Sequence, residues 1–139
     1  MRRLFLSYSS SDQKFAEELS EALKKRSAAS NEPFSVWLDK ADINPGSVWT
    51  KELRRALKQA DVVAVLVSPS SINSEQVAFE VGAAEALGKT ILPIVITDTA
   101  PPGLPAPLAG TQVLDARNKH SGQIASDIDE ILHRADLTG

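Results

Sequence analysis

A run of six consecutive apolar residues, VVAVLV at positions 62–67, constrains the fold of this chain more than any other stretch. The run is continuous and rich in valine, which is typical of a strand covered by helices on both faces. A Ser/Pro/Asn segment at 68–74 follows and is predicted to be a loop. From about Asn73 the apolar spacing becomes helical, with one stripe formed by Val77, Val81, Ala84 and Gly88. Gly88 is predicted to end this helix as a C-cap glycine.

The same helix carries one acidic residue beside its apolar stripe. At a turn of about 100° per residue, Glu80 lies at the edge of the stripe, whereas Glu75 and Glu85 lie well outside it. Glu80 is therefore predicted at the rim of a buried face, shortly after the carboxyl end of a central strand. Open α/β sheets bind their ligands in this region.

Strand and helix patterns alternate along the rest of the chain. Strands are predicted at 4–8, 34–38, 62–67, 91–96 and 112–114, and the second helix at about 49–60. The closing helix is indicated by the apolar positions Ile124, Ile128, Ile131, Leu132 and Ala135. Such alternation is typical of βαβ units and a parallel sheet. The predicted class is α/β, a flavodoxin-like three-layer fold whose five-stranded parallel sheet has the order 2-1-3-4-5, with helices on both faces.

Two strand residues carry more specific predictions. Pro93 cannot donate a ladder hydrogen bond, so its strand is expected to lie at an edge or to contain a bulge there. Trp37 alternates with Val36 and Leu38 and is expected to pack beneath a helix on one face of the sheet.

In the order 2-1-3-4-5, strand 2 is added on one side of strand 1 and strands 3 to 5 are added on the other. The strand order therefore reverses between strands 1 and 3, and this place is the switch point of the sheet. The loops that meet at this switch point are 8–12 and 68–74, both rich in serine. Glu80 follows the second of them. Topology and spacing together predict a polar cleft that contains one carboxylate.

Composition limits the classes of function. A chain of 139 residues favours a single domain, 1–139, and the net charge of −3 without a long basic run gives no reason to expect nucleic acid as a partner. The absence of cysteine excludes disulfides, thiol catalysis and cysteine-based metal sites. No apolar run has the length of a signal sequence core or a membrane span, so a cytoplasmic protein without a membrane segment is expected.

Common catalytic motifs are missing from the sequence. There is no G-x-G-x-x-G after the first strand, no P-loop and no G-x-S-x-G elbow. His120 and His133 are expected at the surface, and their spacing suits no metal site. A phospho-receiver domain would need an acceptor aspartate after the third strand, where this chain has Ser68.

Several segments, in this order, resemble those of a TIR (Toll/interleukin-1 receptor) domain of the bacterial kind. They are LFLSYSSSD, VWLD followed by DINPGSVW, ADVVAVLVSPSS, FEVGAAEALGK and ILPIVI. The resemblance extends over residues 3–135 and implies a flavodoxin-like fold, a mobile loop at 39–48 and self-association. Many bacterial and plant members of this family cleave NAD+ with a glutamate in the third helical region, so the resemblance also implies this activity. The motif places that glutamate at Glu80, which the helical geometry also selects.

The implied reaction breaks the nicotinamide–ribose bond through a sugar with oxocarbenium character, as in glycoside hydrolysis. The nicotinamide ring nitrogen is cationic in NAD+, so the leaving group needs no proton. One carboxylate suffices to bind the ribose hydroxyls and stabilise the developing positive charge. The enzyme class implied is an NAD+ nucleosidase, with ADP-ribosyl cyclase activity as a variant, and NAD+ is then a substrate, with no cofactor and no metal expected.

The resemblance also implies substrate-binding positions. Tyr8, Ser9 and Ser10 match the substrate-lining loop after the first strand, and the alternative explanation for them is an ordinary turn and N-cap. For Ser11 and Asp12, the turn and N-cap explanation is favoured. Asp39 and Asn44 match positions of the mobile loop, and an Asn before Pro-Gly is also an ordinary turn residue.

Two further candidates surround the second and third helices. Family members often have an aromatic residue four positions before the catalytic glutamate, where this chain has Gln76. Gln76 either lines the site or forms a capping box with Asn73. Trp49 either supplies the missing aromatic surface or anchors the start of the second helix.

Assembly is the second implied property. Phe79 lies on the side of its helix opposite the apolar stripe, so it is expected to be exposed, and it and the loop 43–48 are candidate contacts between TIR domains. Head-to-tail contacts of this kind can form filaments that activate cleavage. The expected role is NAD+ depletion or cyclic ADP-ribose signalling in bacterial antiviral immunity, with a fused sensor domain if the chain is a fragment. The alternative is a non-catalytic TIR–TIR interaction module.

Overall fold

The computed structural model describes residues 2–38, 51–97 and 113–134, without the side chains of residues 51, 52 and 134. Its centre is a five-stranded parallel sheet in the order β2-β1-β3-β4-β5, as predicted. The strands are β1 (Arg2–Ser7), β2 (Phe34–Leu38), β3 (Val62–Val67), β4 (Thr90–Val95) and β5 (Leu114–Asp115). A 3-10 turn at Ser10–Asp12 precedes the helices α1 (Gln13–Ala28), α2 (Lys51–Gln59), α3 (Pro69–Ile72), α4 (Glu75–Ala86) and α5 (Ser121–Arg134).

β3 is the central strand, paired in parallel with β1 on one side and β4 on the other. All six of its residues are buried, which confirms the prediction from its continuous apolar run. The two-residue period of a strand divides these side chains between the two faces. Val62, Ala64 and Leu66 belong to one core layer, and Val63, Val65 and Val67 belong to the other.

The two layers are covered by different helices. Residues of α1 and α5 share a buried cluster with Leu4 and Leu6 of β1, and residues of α2 and α4 share the other cluster with Phe5. Trp37 packs in the second layer, where its ring stacks on Phe5 with centroids 5.0 Å apart and an angle of 17°. The prediction that Trp37 packs against a helix-covered face is confirmed.

The segment 68–74 differs from the predicted loop. Ser68 caps the four-residue helix α3, because its hydroxyl accepts from the Ser71 N–H at 3.1 Å and the Ser71 hydroxyl accepts from the Ser68 N–H at 2.8 Å. Pro69 occupies the first turn, where its missing N–H has no cost and its fixed φ favours a helix. The Ser-Pro-Ser-Ser motif therefore forms a capping box rather than irregular structure.

The start of α4 also differs in detail. Its N-cap is Ser74, whose hydroxyl accepts from the Val77 N–H at 3.3 Å. Asn73 instead donates through its side-chain amide to the Pro69 carbonyl oxygen at 3.1 Å. The alternative in which Gln76 forms a capping box with Asn73 is wrong, because Ser74 is the N-cap of α4 and Asn73 is the C-cap of α3.

Gly88 ends α4 as predicted. Its φ is +71°, its N–H donates to the Glu85 carbonyl and the N–H of Lys89 donates to the Ala84 carbonyl. These two hydrogen bonds form a Schellman motif, which satisfies carbonyl groups that the helix end would otherwise leave unpaired.

The prediction that Pro93 marks an edge or a bulge is wrong. β4 lies between β3 and β5, and its register with β3 is continuous from Thr90 to Val95. The N–H of Ile96 donates to β3, so by alternation the nitrogen of Pro93 faces the β5 side. Pairing with β5 begins at Ile94, one residue further on, so no ladder bond is lost at Pro93 within the described strands.

The remaining boundaries shift by small amounts. β1 ends at Ser7, so Tyr8 follows the strand, and β5 is displaced from the predicted 112–114 to Leu114–Asp115. Gln112 and Ala135 lie outside the described residues. Among the helices that the structure describes, none has both the length and the apolar character needed to cross a membrane.

Candidate active site

The carboxyl ends of β1 and β3 lie side by side, with Ser7 opposite Val65 in the parallel register. Ser7 and Ser9 lie at the end of β1, and Ser68 follows β3 directly. The short helix α3 comes next, and α4 after it packs against the sheet, so the inward side chains of α4 face this corner. The predicted switch point therefore brings the two serine-rich segments together.

Glu80 is buried at this corner, with 0% of its surface exposed. Its Oε1 atom accepts a hydrogen bond from the hydroxyl of Ser7 at 2.7 Å. Residues one turn away on either side, Val77 and Ala84, are buried too, whereas Glu75 and Glu85 are exposed. The carboxyl group thus lies deeper than a residue at the edge of an apolar stripe is expected to lie. A buried carboxyl needs hydrogen-bond donors to offset the loss of water, and Ser7 is one.

Ser7 is not among the predicted site residues, although the sequence contains a signal for it. Side chains on a strand alternate between the faces of a sheet, so Ser7 points to the same face as Phe5. Phe5 packs in the α2/α4 layer. A polar residue on that face, directly after the apolar residues 4–6, indicates a polar partner on α2 or α4.

A second hydrogen-bond group joins the two loops. The Asp12 Oδ2 atom accepts from the Ser68 hydroxyl at 2.6 Å and from the Ser9 hydroxyl at 3.2 Å. Asp12 occupies the N-cap position of α1, but its side chain makes no capping bond to that helix. The interpretation of Asp12 as a helix cap is therefore wrong, because its carboxylate is used across the switch point instead.

The other predicted site residues have different environments. Ser9 is buried, Ser10 is exposed in the 3-10 turn, and Gln76 is partly exposed on the first turn of α4, one helical turn before Glu80. Tyr8 is 1% exposed and packs in the α1/α5 core layer, whereas Glu80 belongs to a helix of the other layer. Asp39, Asn44 and Trp49 lie outside the described residues, as does the loop 43–48.

Both histidines are exposed, as predicted. His133 on α5 lies between two carboxylates, with Nδ1 2.7 Å from Asp129 Oδ1 and Nε2 3.3 Å from Glu32 Oε2. Hydrogen bonds to the carbonyls of Glu32 and Asp129 raise the pKa of His133 above its ordinary value. Within the described ranges, no three His, Cys, Asp or Glu side chains are grouped so that they could hold a metal ion.

Comparisons with known structures agree on the fold. The TIR domain of the Toll-related receptor TRR-2 from Hydra magnipapillata has a TM-score of 0.58 and 16% identity, over 94% of this chain and 91% of that one. Clostridium botulinum CMP N-glycosidase BcmB has a TM-score of 0.58 and 20% identity, over 93% and 98%. A 3-dehydroquinate dehydratase-like protein from Bifidobacterium longum has a TM-score of 0.55 and 12% identity, over 96% and 97%.

At these identities the structural matches show the shared fold alone. Comparison of the sequence with curated proteins finds no significant match. The family model of the TIR domain, however, matches residues 4–132, which is most of the chain. The chain therefore belongs to the TIR domain family.

Proposed function

We propose that this domain is an NAD+ glycohydrolase in which Glu80 is the catalytic carboxylate. The observation that carries the proposal is the position of Glu80, buried at the switch point of the sheet and hydrogen-bonded to Ser7. Buried carboxyl groups are rare unless they are paired or functional, and ligands of open α/β sheets bind at this point.

The reaction balances without a cofactor. The C1′–N bond of the nicotinamide riboside breaks, its electron pair leaves with nicotinamide, and the ribose gains oxocarbenium character. The Glu80 carboxylate stabilises that positive charge and binds ribose hydroxyls. Water then adds to C1′ and releases a proton, so NAD+ and water give ADP-ribose, nicotinamide and H+. In a cyclase, an adenine or ribose atom of the same molecule replaces water and a cyclic isomer forms.

Chemistry of this class has a precedent on the same architecture. The CMP N-glycosidase BcmB shares the fold and cleaves an N-glycosidic bond by its name. Cleavage of the N-glycosidic bond of a nucleotide is therefore compatible with this fold. This supports the reaction class and leaves the substrate to experiment.

The test uses concentrated protein incubated with NAD+, with free nicotinamide followed over time. Glu80→Gln keeps the shape and hydrogen-bonding capacity of the buried side chain but removes its charge, so we expect a loss of rate of about 100-fold or more. Glu85→Gln is the matched control, because Glu85 is an exposed residue of the same helix. Equal release by wild type and Glu80→Gln would show that Glu80 is not the catalytic residue.

The second candidate is a non-catalytic module that binds other TIR domains. Phe79 supports it, because 56% of this large apolar residue is exposed on α4. Gln76 supports it as well, since it stands where NAD+-cleaving members often have an aromatic residue. If no nicotinamide is released at any concentration while the protein self-associates, this second function is the correct one.

We further propose that self-association activates cleavage and that the domain acts in bacterial antiviral immunity, in the cytoplasm and under the control of a fused sensor. A rate per molecule that rises with protein concentration is the expected result. A constant specific activity across the range in which the protein changes from monomer to oligomer would contradict activation by assembly.

A further inference from the structure

We infer that Ser7 is a positioning residue, which holds the Glu80 carboxylate in one orientation at the switch point. The inference rests on the proposed function, since it assigns Ser7 a role in the same reaction. Its structural basis is the 2.7 Å hydrogen bond from the Ser7 hydroxyl to Glu80 Oε1. Both residues have 0% exposure, so water does not compete for this contact.

Ser7 is suited to this role because its backbone is part of the sheet, where it is paired with Val65 of β3. It is the last residue of β1, and β1 pairs with β2 on one side and with β3 on the other. Glu80 approaches from α4, 73 positions away in the chain. The hydrogen bond therefore connects the catalytic side chain, which has several rotatable bonds, directly to the rigid sheet.

Restricting that side chain has a direct consequence for the reaction. A carboxylate that stabilises a developing cation must already lie in place, because reorganisation at the moment of bond cleavage adds to the barrier. The Ser7 hydroxyl also favours the anionic carboxylate, since a hydrogen bond donated to a charged oxygen is stronger than one to a neutral oxygen. Ser7 thus supports both the geometry and the charge that the reaction requires.

Ser27 provides a matched control within the same molecule. It is also a buried serine, and its hydroxyl accepts from the Phe34 N–H at 2.8 Å and donates to the Phe34 carbonyl oxygen. Phe34 begins β2 at the opposite end of the strands from the candidate site. Loss of the Ser27 hydroxyl therefore affects folding stability in the same general way but leaves Glu80 untouched.

The experiment compares Ser7→Ala and Ser27→Ala with wild type by two measurements on the whole chain. In nicotinamide release, we expect Ser7→Ala to lower kcat roughly 10-fold with KM little changed, and Ser27→Ala to leave kcat unchanged. In carbon-13 NMR, the Glu80 side-chain carboxyl signal, assigned by its absence in Glu80→Gln, should titrate at a higher pH in Ser7→Ala, by about one pH unit.

The two measurements separate this inference from the proposed function. If wild type releases no nicotinamide, the glycohydrolase proposal fails and the NMR titration still decides the role of Ser7. If wild type is active but Ser7→Ala matches it in kcat and in the Glu80 titration, Ser7 is not a positioning residue and the proposed function stands. Equal losses of kcat in Ser7→Ala and Ser27→Ala would also overturn the inference, because they would indicate a general structural effect.

Discussion

The carboxylate of Asp12, after β1, accepts a hydrogen bond from the hydroxyl of Ser68, after β3, at 2.6 Å. This contact joins the two segments that flank the switch point of the sheet. The Ser68 hydroxyl also accepts from the Ser71 N–H. The series of hydrogen bonds that starts at Asp12 therefore continues through Ser68 into the cap of α3. A connected polar unit of Ser9, Asp12, Ser68 and Ser71 therefore joins the two segments.

Replacement of Asp12 tests this unit. We expect Asp12→Ala to lower the free energy of unfolding by about 1.5–3 kcal/mol, because two serine hydroxyls lose a charged acceptor. Urea denaturation measures the change. Glu18→Ala, at an exposed position of α1, is the control and should have an effect within about 0.5 kcal/mol of zero. If the two variants are equally stable, the Asp12 contacts contribute nothing measurable.

Substitution by alanine is expected to have opposite effects at two glycines, Gly82 inside α4 and Gly88 just after it. Gly88→Ala should destabilise the domain by about 1 kcal/mol, because Gly88 has a φ of +71° that alanine adopts only with strain. Gly82→Ala should stabilise it by up to about 1 kcal/mol, because Gly82 is inside the helix and a Cβ atom there meets no atom within 4 Å. Thermal denaturation of both variants measures the difference, and a change of the same sign in both would contradict the assignment of the helix end.

His133 predicts a dependence of stability on pH. Its pKa is raised from 6.5 in the folded protein, chiefly by the hydrogen bond to the Glu32 carbonyl and then by that to the Asp129 carbonyl. Because the folded pKa exceeds the unfolded one, the stabilisation is fully present below about pH 6.5 and is lost as the pH rises through the folded value. We therefore expect His133→Gln to lower the Tm at pH 5.5 and to have a smaller effect at pH 9.

The neighbours of His133 define the control for this prediction. Asp129 is also paired with Arg26 of α1 at 2.7 Å, so part of the contact between α1 and α5 persists when His133 is neutral. His120→Gln, at the other exposed histidine, should not reproduce the pH dependence. A difference in Tm between wild type and His133→Gln that stays constant from pH 5.5 to 9 would show that protonation of His133 does not stabilise the fold.

Phe79 predicts the behaviour of the proposed assembly. Because 56% of the surface of Phe79 is exposed, Phe79→Asp should leave the Tm nearly unchanged. The same substitution should weaken self-association, because a charged group in an apolar contact must lose its water. Sedimentation velocity across a concentration series measures the association. Val113→Asp, at another exposed apolar residue, is the comparison. Equal association of wild type and Phe79→Asp would remove Phe79 from the interface.

Local patterns in the sequence predicted most of the architecture. The bounds of β2 and β3 agree with the structure to the residue, and the strand order, the end of α4 at Gly88 and the exposure of Phe79 follow the prediction. Each of these depends on periodicity or on the conformational preference of one residue, which a short window of sequence contains. Helical periodicity also selected Glu80 as the acidic residue nearest the core.

Only the tertiary structure decided how the candidate site is held together. Ser7 and Glu80 are 73 positions apart, and Asp12 and Ser68 are 56 apart, so no local pattern identifies the partner in either hydrogen bond. Pro93 shows the same limit, since its effect depends on where the pairing of β4 with β5 begins. Periodicity determines which side of an element faces the core, whereas the partner of a polar side chain depends on how distant elements pack.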